Sequence, residues 1–298
     1  MTENALTIKD IDNLPYDQIA GEFGFVNEAE QSAASAPGFP RVTVNNKARN
    51  KEGNKVPDGT VKVYHPEHGL VYAEEAFLRI FQQRFFYQRY DENATFQDKD
   101  GNDQKGRYVN KSVFVKHPSE EALDEEGGVN CGKFKVDDWD NLSEDRKNWW
   151  RGAKRYRVVF GMLRVENGFV DGVKDPVSFS DLPVMFQISN RGTYKNFGDV
   201  MSQFYKTKKM PFKHECKFNF QLEQSGAISW YVVTPTITSE AVPFTDVDME
   251  TNRAFLTYVT NHNDNIRARS YEAKRYTNDV DSSVVDTDFI EVSEVLPE

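Results

Sequence analysis

Apolar and polar residues alternate with a period of two over several short segments of this 298-residue chain, the pattern of half-buried strands. Residues 41 to 44 (RVTV), 60 to 65 (TVKVYH, after the turn residues VPDG) and 69 to 74 (GLVYAE) read this way. Residues 76 to 90, AFLRIFQQRFFYQRY, fit two templates, because Phe77, Phe81 and Phe85 lie at helical spacing while Phe81, Phe85 and Tyr87 suit alternation. Their aromatic content favours a strand. The polar turn QDKDGNDQKG at 97 to 106 then leads into RYVNKSVFVKH, so a long β-hairpin is expected. KRYRVVFGMLRVENGFVDG reads as a second hairpin turned at Asn167-Gly168, LPVMFQIS as a strand, and HECKFNFQLEQSGAISWYVVT as a third hairpin turned at Ser225-Gly226. Helical spacing is confined to three places. Ser143 caps a short helix in DDWDNLSEDRKNWWRGA; residues 193 to 206 place Phe197, Val200, Met201 and Phe204 on one face; and Asp246 caps a helix through ETNRAFLTYVTNH toward Tyr276. The expected fold is mostly β, a barrel built from hairpins with two or three helical decorations.

Charge divides the chain more sharply than hydropathy does. The formal net charge is −10, but residues 1 to 36 carry −6 and residues 278 to 298 carry −7, which leaves +3 for residues 37 to 277. The small, Pro-bearing stretch QSAASAPGFP at 31 to 40 reads as a linker. The expected organisation is an acidic N-terminal segment and linker at 1–36, a β-rich domain at 37–277 and an acidic flexible tail at 278–298. The tail has seven acids, no base and too little apolar surface to fold alone, so it is expected to be disordered. No stretch approaches ~18 consecutive apolar residues and the N-terminus is acidic, which predicts a cytoplasmic protein with no membrane partner. Cys131 and Cys216 are too few for a disulfide framework and read as buried thiols.

Motifs that would carry bond chemistry are weak. GGVNCGKF at 127 to 134 has the G-x-x-x-x-G-K spacing of a phosphate loop, but Phe134 stands where the Mg²⁺-binding hydroxyl belongs and the lead-in EEALDEE is acidic. His65, His68, His117, Cys131, His214 and Cys216 lack the paired spacings of structural zinc, and HPEH leaves only two residues between its histidines. No G-x-S-x-G nucleophile elbow is present. The expectation is a protein that is not an enzyme, with no cofactor and no metal.

Cations interleaved with aromatic rings stand out instead. From Arg146 to Arg164 there are seven bases and no acid, among Trp149, Trp150, Tyr156 and Phe160. Arg146, Lys147, Arg151, Lys154, Arg155 and Arg157 could track phosphates while Trp149, Trp150 and Tyr156 stack on unpaired bases. Arg79, Arg84 and Arg89, with Tyr87 among them, and Lys206, Lys208, Lys209 and Lys213 near Tyr205 extend the pattern. A tethered acidic tail would compete for such a groove. Its apolar residues Phe289, Ile290 and Leu296 would give replication or recombination proteins a grip.

These features together resemble the bacteriophage single-stranded DNA-binding proteins, and GFPRVTVNNKA, VYAEEAFLRIFQQRFFYQRYD and KRYRVVFGMLR are similar to stretches of uncharacterised phage proteins. The resemblance implies an OB-like barrel, no catalysis, and a protein of the host cytoplasm that coats and protects single-stranded DNA during phage replication and recombination, with self-association left open. The body is larger than a minimal OB barrel, and the zinc-binding Cys/His cluster of some phage members is missing. The alternative is a phage structural or assembly protein whose aromatic hairpins pack against neighbouring subunits.

Overall fold

The computed structural model describes residues 38–97 and 103–288, with side chains as far as residue 275. Segment 1–36 and the tail residues Phe289, Ile290 and Leu296 lie outside the described residues. Among the described residues nine strands and three α-helices follow one another. They are β1 (Arg41–Asn45), β2 (Thr60–His65), β3 (Gly69–Ala73), β4 (Glu75–Gln97), β5 (Asp103–Lys111), α1 (Glu144–Gly152), β6 (Ala153–Val170), β7 (Val177–Ile188), α2 (Arg191–Thr207), β8 (His214–Ser225), β9 (Ile228–Ala241) and α3 (Asp246–Asp288). They separate into two compact units, with boundaries at Phe85/Phe86, Arg155/Tyr156 and Thr260/Asn261. Among the described residues no helix is long and apolar enough to cross a membrane.

The first unit holds a closed five-stranded barrel. Antiparallel pairs join β1 to β2 (Val44↔Val61), β2 to β3 (Val63↔Val71), β3 to β6 (Val71↔Val170) and β6 to β7 (Phe160↔Met185), and a parallel β7–β1 pair closes it (Met185↔Arg41). The strands run round in chain order, whereas an OB barrel is wound as a Greek key. Alternation supplies the interior, since Val61, Val63, Val71, Val159, Leu163, Val165, Val184 and Phe186 are buried together. The sheet continues from β6 through β4 to β8 and β9. Helix α2 packs there, with Phe197 edge-on to Phe186 and Phe218 and Thr193 Oγ1 accepting from the Val233 amide.

Two sequence expectations change. Asn167-Gly168 does not turn a hairpin: β6 runs through it to Val170, and the turn falls later, where the Val173 amide bonds to the Val170 carbonyl. Pairing slips by one residue between Val165↔Phe179 and Gly168↔Val177, with Asn167 left-handed at φ 52°, so the pair makes a β-bulge. A Cβ on Gly168 would sit 2.6 Å from Val71 Cγ1, which is why glycine stands there. At the last helix the cap is Thr245 rather than Asp246. The Thr245 amide donates to Asp248 at 2.9 Å and the Asp248 amide to Thr245 Oγ1 at 3.3 Å, a capping box. Helix α3 then continues to Asp288, into the segment expected as tail.

The ambiguous run at 76 to 90 is strand, and its periodicity was muddled because almost every residue from Ala76 to Arg89 is buried. In the second unit β4 pairs with β5 as the expected hairpin, Gln97 opposite Asp103. The later turns of α3 pack there through Asn263, which bonds the Phe114 amide (2.7 Å) and carbonyl (3.1 Å). Ser143 caps α1 as expected, accepting from the Arg146 amide.

Candidate nucleic-acid interface

The exposed aromatic surface of the second unit is built on one buried cation. Arg89 lies on β4 and is only 4% exposed, with its guanidinium donating to the carbonyls of Trp149 (2.7 Å) and Cys131. Its Cζ lies over the Trp149 ring, 3.6 Å from the ring centre, and Trp149 remains 49% exposed. Arg146 and Arg151 of helix α1 and, just beyond its end, Lys154 and Arg155 are all exposed. Arg146 stacks over Phe134 (4.6 Å) and Arg151 over Trp139 (5.3 Å).

Beneath this surface the other tryptophan is structural. Trp150 donates from Nε1 to the Phe134 carbonyl at 3.0 Å and meets Trp139 edge-on. Lys133 covers its face at 3.0 Å while donating to the Trp150 and Ala153 carbonyls. Burial first, then the positive charges of Arg89, Arg155 and Lys154, push the Lys133 ammonium down to about 8.

The β4–β5 hairpin adds a second exposed aromatic pair that the sequence reading left out of its site. Tyr90 and Tyr108 are 41% and 46% exposed and meet edge-on at 5.3 Å. A bulge opposite the Arg89/Tyr90 step brings them into register. Lys105 and Arg107 lie beside them on β5, both exposed. The signal in the sequence is the change from AFLRIFQQRFFYQR to the polar YDENATFQ: beyond Tyr90 the core no longer covers the strand, so its rings face water.

Several residues expected to touch nucleic acid are buried instead, and this corrects the reading. Arg79 is 5% exposed and forms a two-pronged pair with Asp248 (3.1 and 2.7 Å), shared with Asp181 at 3.0 Å. Arg84 is buried and donates to the Gln83 carbonyl; Arg157 is buried against Phe85 and Tyr194 and bonds Gln83. Tyr87 and Tyr156 are core rings at 8% and 6% exposure. A basic, aromatic strand looks the same in sequence whether its side chains meet nucleic acid or the protein's own interior, and for Arg79 the deciding acid, Asp248, lies 169 residues away. Lys147 pairs with Glu144 at 3.1 Å with its side chain only 15% exposed.

The lysine cluster belongs to the first unit. Lys206 and Lys208 are exposed at the end of α2, Lys209 and Lys213 are half-buried just beyond, and Lys208 caps the helix in a left-handed conformation beside the exposed Tyr205. In the phosphate-loop look-alike, the amides of Glu126 and Gly128 donate to Asp124 and that of Asn130 to the Ala122 carbonyl, so the loop folds on itself. Burial raises both thiols, Cys216 to about 12, which makes them poor nucleophiles at neutral pH. Compared with known protein families, with curated proteins and with solved structures, the chain gives no match.

Proposed function

We propose that this protein binds single-stranded nucleic acid, DNA in the phage setting its sequence suggests, and that it does so without bond chemistry. The observation that carries the reading is the Trp149 ring, backed by the Arg89 guanidinium yet 49% exposed, with Arg146, Arg151, Lys154 and Arg155 exposed near it in sequence. An indole so held would offer its open surface to an unpaired base, and the exposed cations near it in sequence would meet phosphates. The Tyr90–Tyr108 pair supplies further ring surface, and Lys206 and Lys208 with Tyr205 a second cationic and aromatic patch. The OB-like description rests on closure of a barrel from five strands, with a winding that differs from that fold. Coating of single strands during replication and recombination, and recruitment of partner proteins by residues 278 to 298, extend the same proposal.

The test is a titration of fluorescein-labelled oligo-dT by anisotropy at several salt concentrations. Affinity should fall linearly on a log–log plot, by about 0.7 units per phosphate contact, and duplex DNA of the same length should bind more weakly. Absence of binding at low salt, or an affinity independent of salt, overturns the reading. The structural alternative draws on the far end of the β8–β9 hairpin, where Leu222 and Ile228 are 57% and 69% exposed, apolar surface suited to a subunit contact. Sedimentation showing large assemblies without DNA would favour it.

A further inference from the structure

A tight turn in the first unit gathers two histidines that the spacing argument dismissed and the glutamate between them. Strand β2 ends at His65 and β3 begins at Gly69, the two residues being paired across the hairpin. The intervening Pro66-Glu67-His68 therefore doubles back on itself, with Gly69 in the left-handed region at φ 73° to complete the turn. As a result one ligating atom from each of His65, Glu67 and His68 lies within 4.8 Å of the other two. The two imidazoles are nearly parallel, 4.6 Å apart, and the His65 ring rests on Phe179 of β7 at 4.5 Å.

We propose that His65, Glu67 and His68 form a binding site for a borderline divalent transition-metal ion such as Zn²⁺, Co²⁺ or Ni²⁺. Two imidazole nitrogens and one carboxylate are a donor set these ions accept, with the remaining positions left to water. Sequence spacing argued against this because H-x₂-H is not one of the paired spacings typical of structural zinc. A hairpin turn imposes no such spacing. Bonds of roughly 2.0 to 2.2 Å require the ligand atoms to draw in from their present separation, which the half-buried rings and exposed carboxylate allow by rotating their side chains. His65 is the pre-set ligand, because strand pairing and Phe179 hold it. The Glu67 amide donates to its Nδ1 at 3.2 Å. A metal at Nε2 moves the ring proton to Nδ1 and breaks that long bond, so the ion gains its ligand against a small cost within the turn. With three protein ligands on a short surface turn, the site suits micromolar rather than structural affinity. Its occupation would stiffen the β2–β3 end of the barrel.

The experiment is isothermal titration of the full, tag-free chain with ZnCl₂, paired with visible absorption on adding Co²⁺. One ion per chain is expected, together with d–d bands that show nitrogen and oxygen ligands. His68→Ala and Glu67→Gln, both in the turn rather than on a strand, should each weaken binding at least tenfold and leave the circular dichroism spectrum unchanged. His117→Ala, remote in sequence and outside the cluster, should have no effect. No binding below millimolar metal overturns the proposal, as does binding that survives His68→Ala and Glu67→Gln. Because oligonucleotide binding is measured separately, failure here leaves the nucleic-acid reading intact.

Discussion

Replacing Trp149 by leucine tests the proposed platform most directly. One face of the ring is occupied by the Arg89 guanidinium at 3.6 Å and the residue is 49% exposed, so at most one base can stack on it. Stacking contributes about 1 to 3 kcal/mol per base. A half-exposed ring with a single open face belongs in the lower part of that range, about 1 to 2 kcal/mol, or roughly 5- to 30-fold in Kd. Leucine keeps an apolar cover over Arg89, whose bond to the backbone carbonyl of residue 149 does not depend on the side chain. The stability cost should therefore stay near the lost cation–π contact, about 0.5 to 2 kcal/mol. Anisotropy with labelled oligo-dT at fixed salt measures the first quantity and thermal melting followed by circular dichroism the second. An affinity within twofold of the parent, in a variant that melts normally, would refute the assignment of Trp149 as a base platform.

Asp248→Ala should destabilise by about 3 to 5 kcal/mol, because it strands the buried Arg79 and also removes half of the capping box, a loss measurable by urea denaturation. Tyr156→Ala should lower the melting temperature markedly through loss of a core ring, rather than act on binding alone. Oligonucleotide affinity should weaken as pH rises through about 8, since phosphate binding favours the charged form of Lys133, and proton uptake on binding measured in two buffers would show it. Stability should fall with acidification below about pH 6.5, because burial chiefly holds His214 and His262 below the ordinary value, so the unfolded chain binds more protons in that window. Deleting residues 278 to 298, which carry seven acids and no base, should tighten oligo-dT binding at low salt, with the gain shrinking as salt is added.

The sequence by itself determined the elements whose signals are local. Strands β2, β3 and β8 follow period-two alternation, α1 follows its Ser143 cap, and α2 follows the Phe197–Phe204 stripe, each within a few residues of its observed bounds, while β9 starts as expected and runs on past Thr234 to Ala241. Local signals misled where one motif serves two geometries: Asn167-Gly168 supplies a left-handed residue, which a bulge needs as much as a hairpin turn does. The sorting of cations was decided only by tertiary structure. Arg79, Arg84, Arg89 and Arg157 are as basic in sequence as Arg146 and Arg151, yet the former are buried against distant acids, carbonyls and rings while the latter face water. What a charged side chain meets depends on partners far along the chain, Asp248 for Arg79 and Trp149 for Arg89, and no window of neighbouring residues contains them. The same holds for His65, Glu67 and His68, which become a cluster only when β2 and β3 pair.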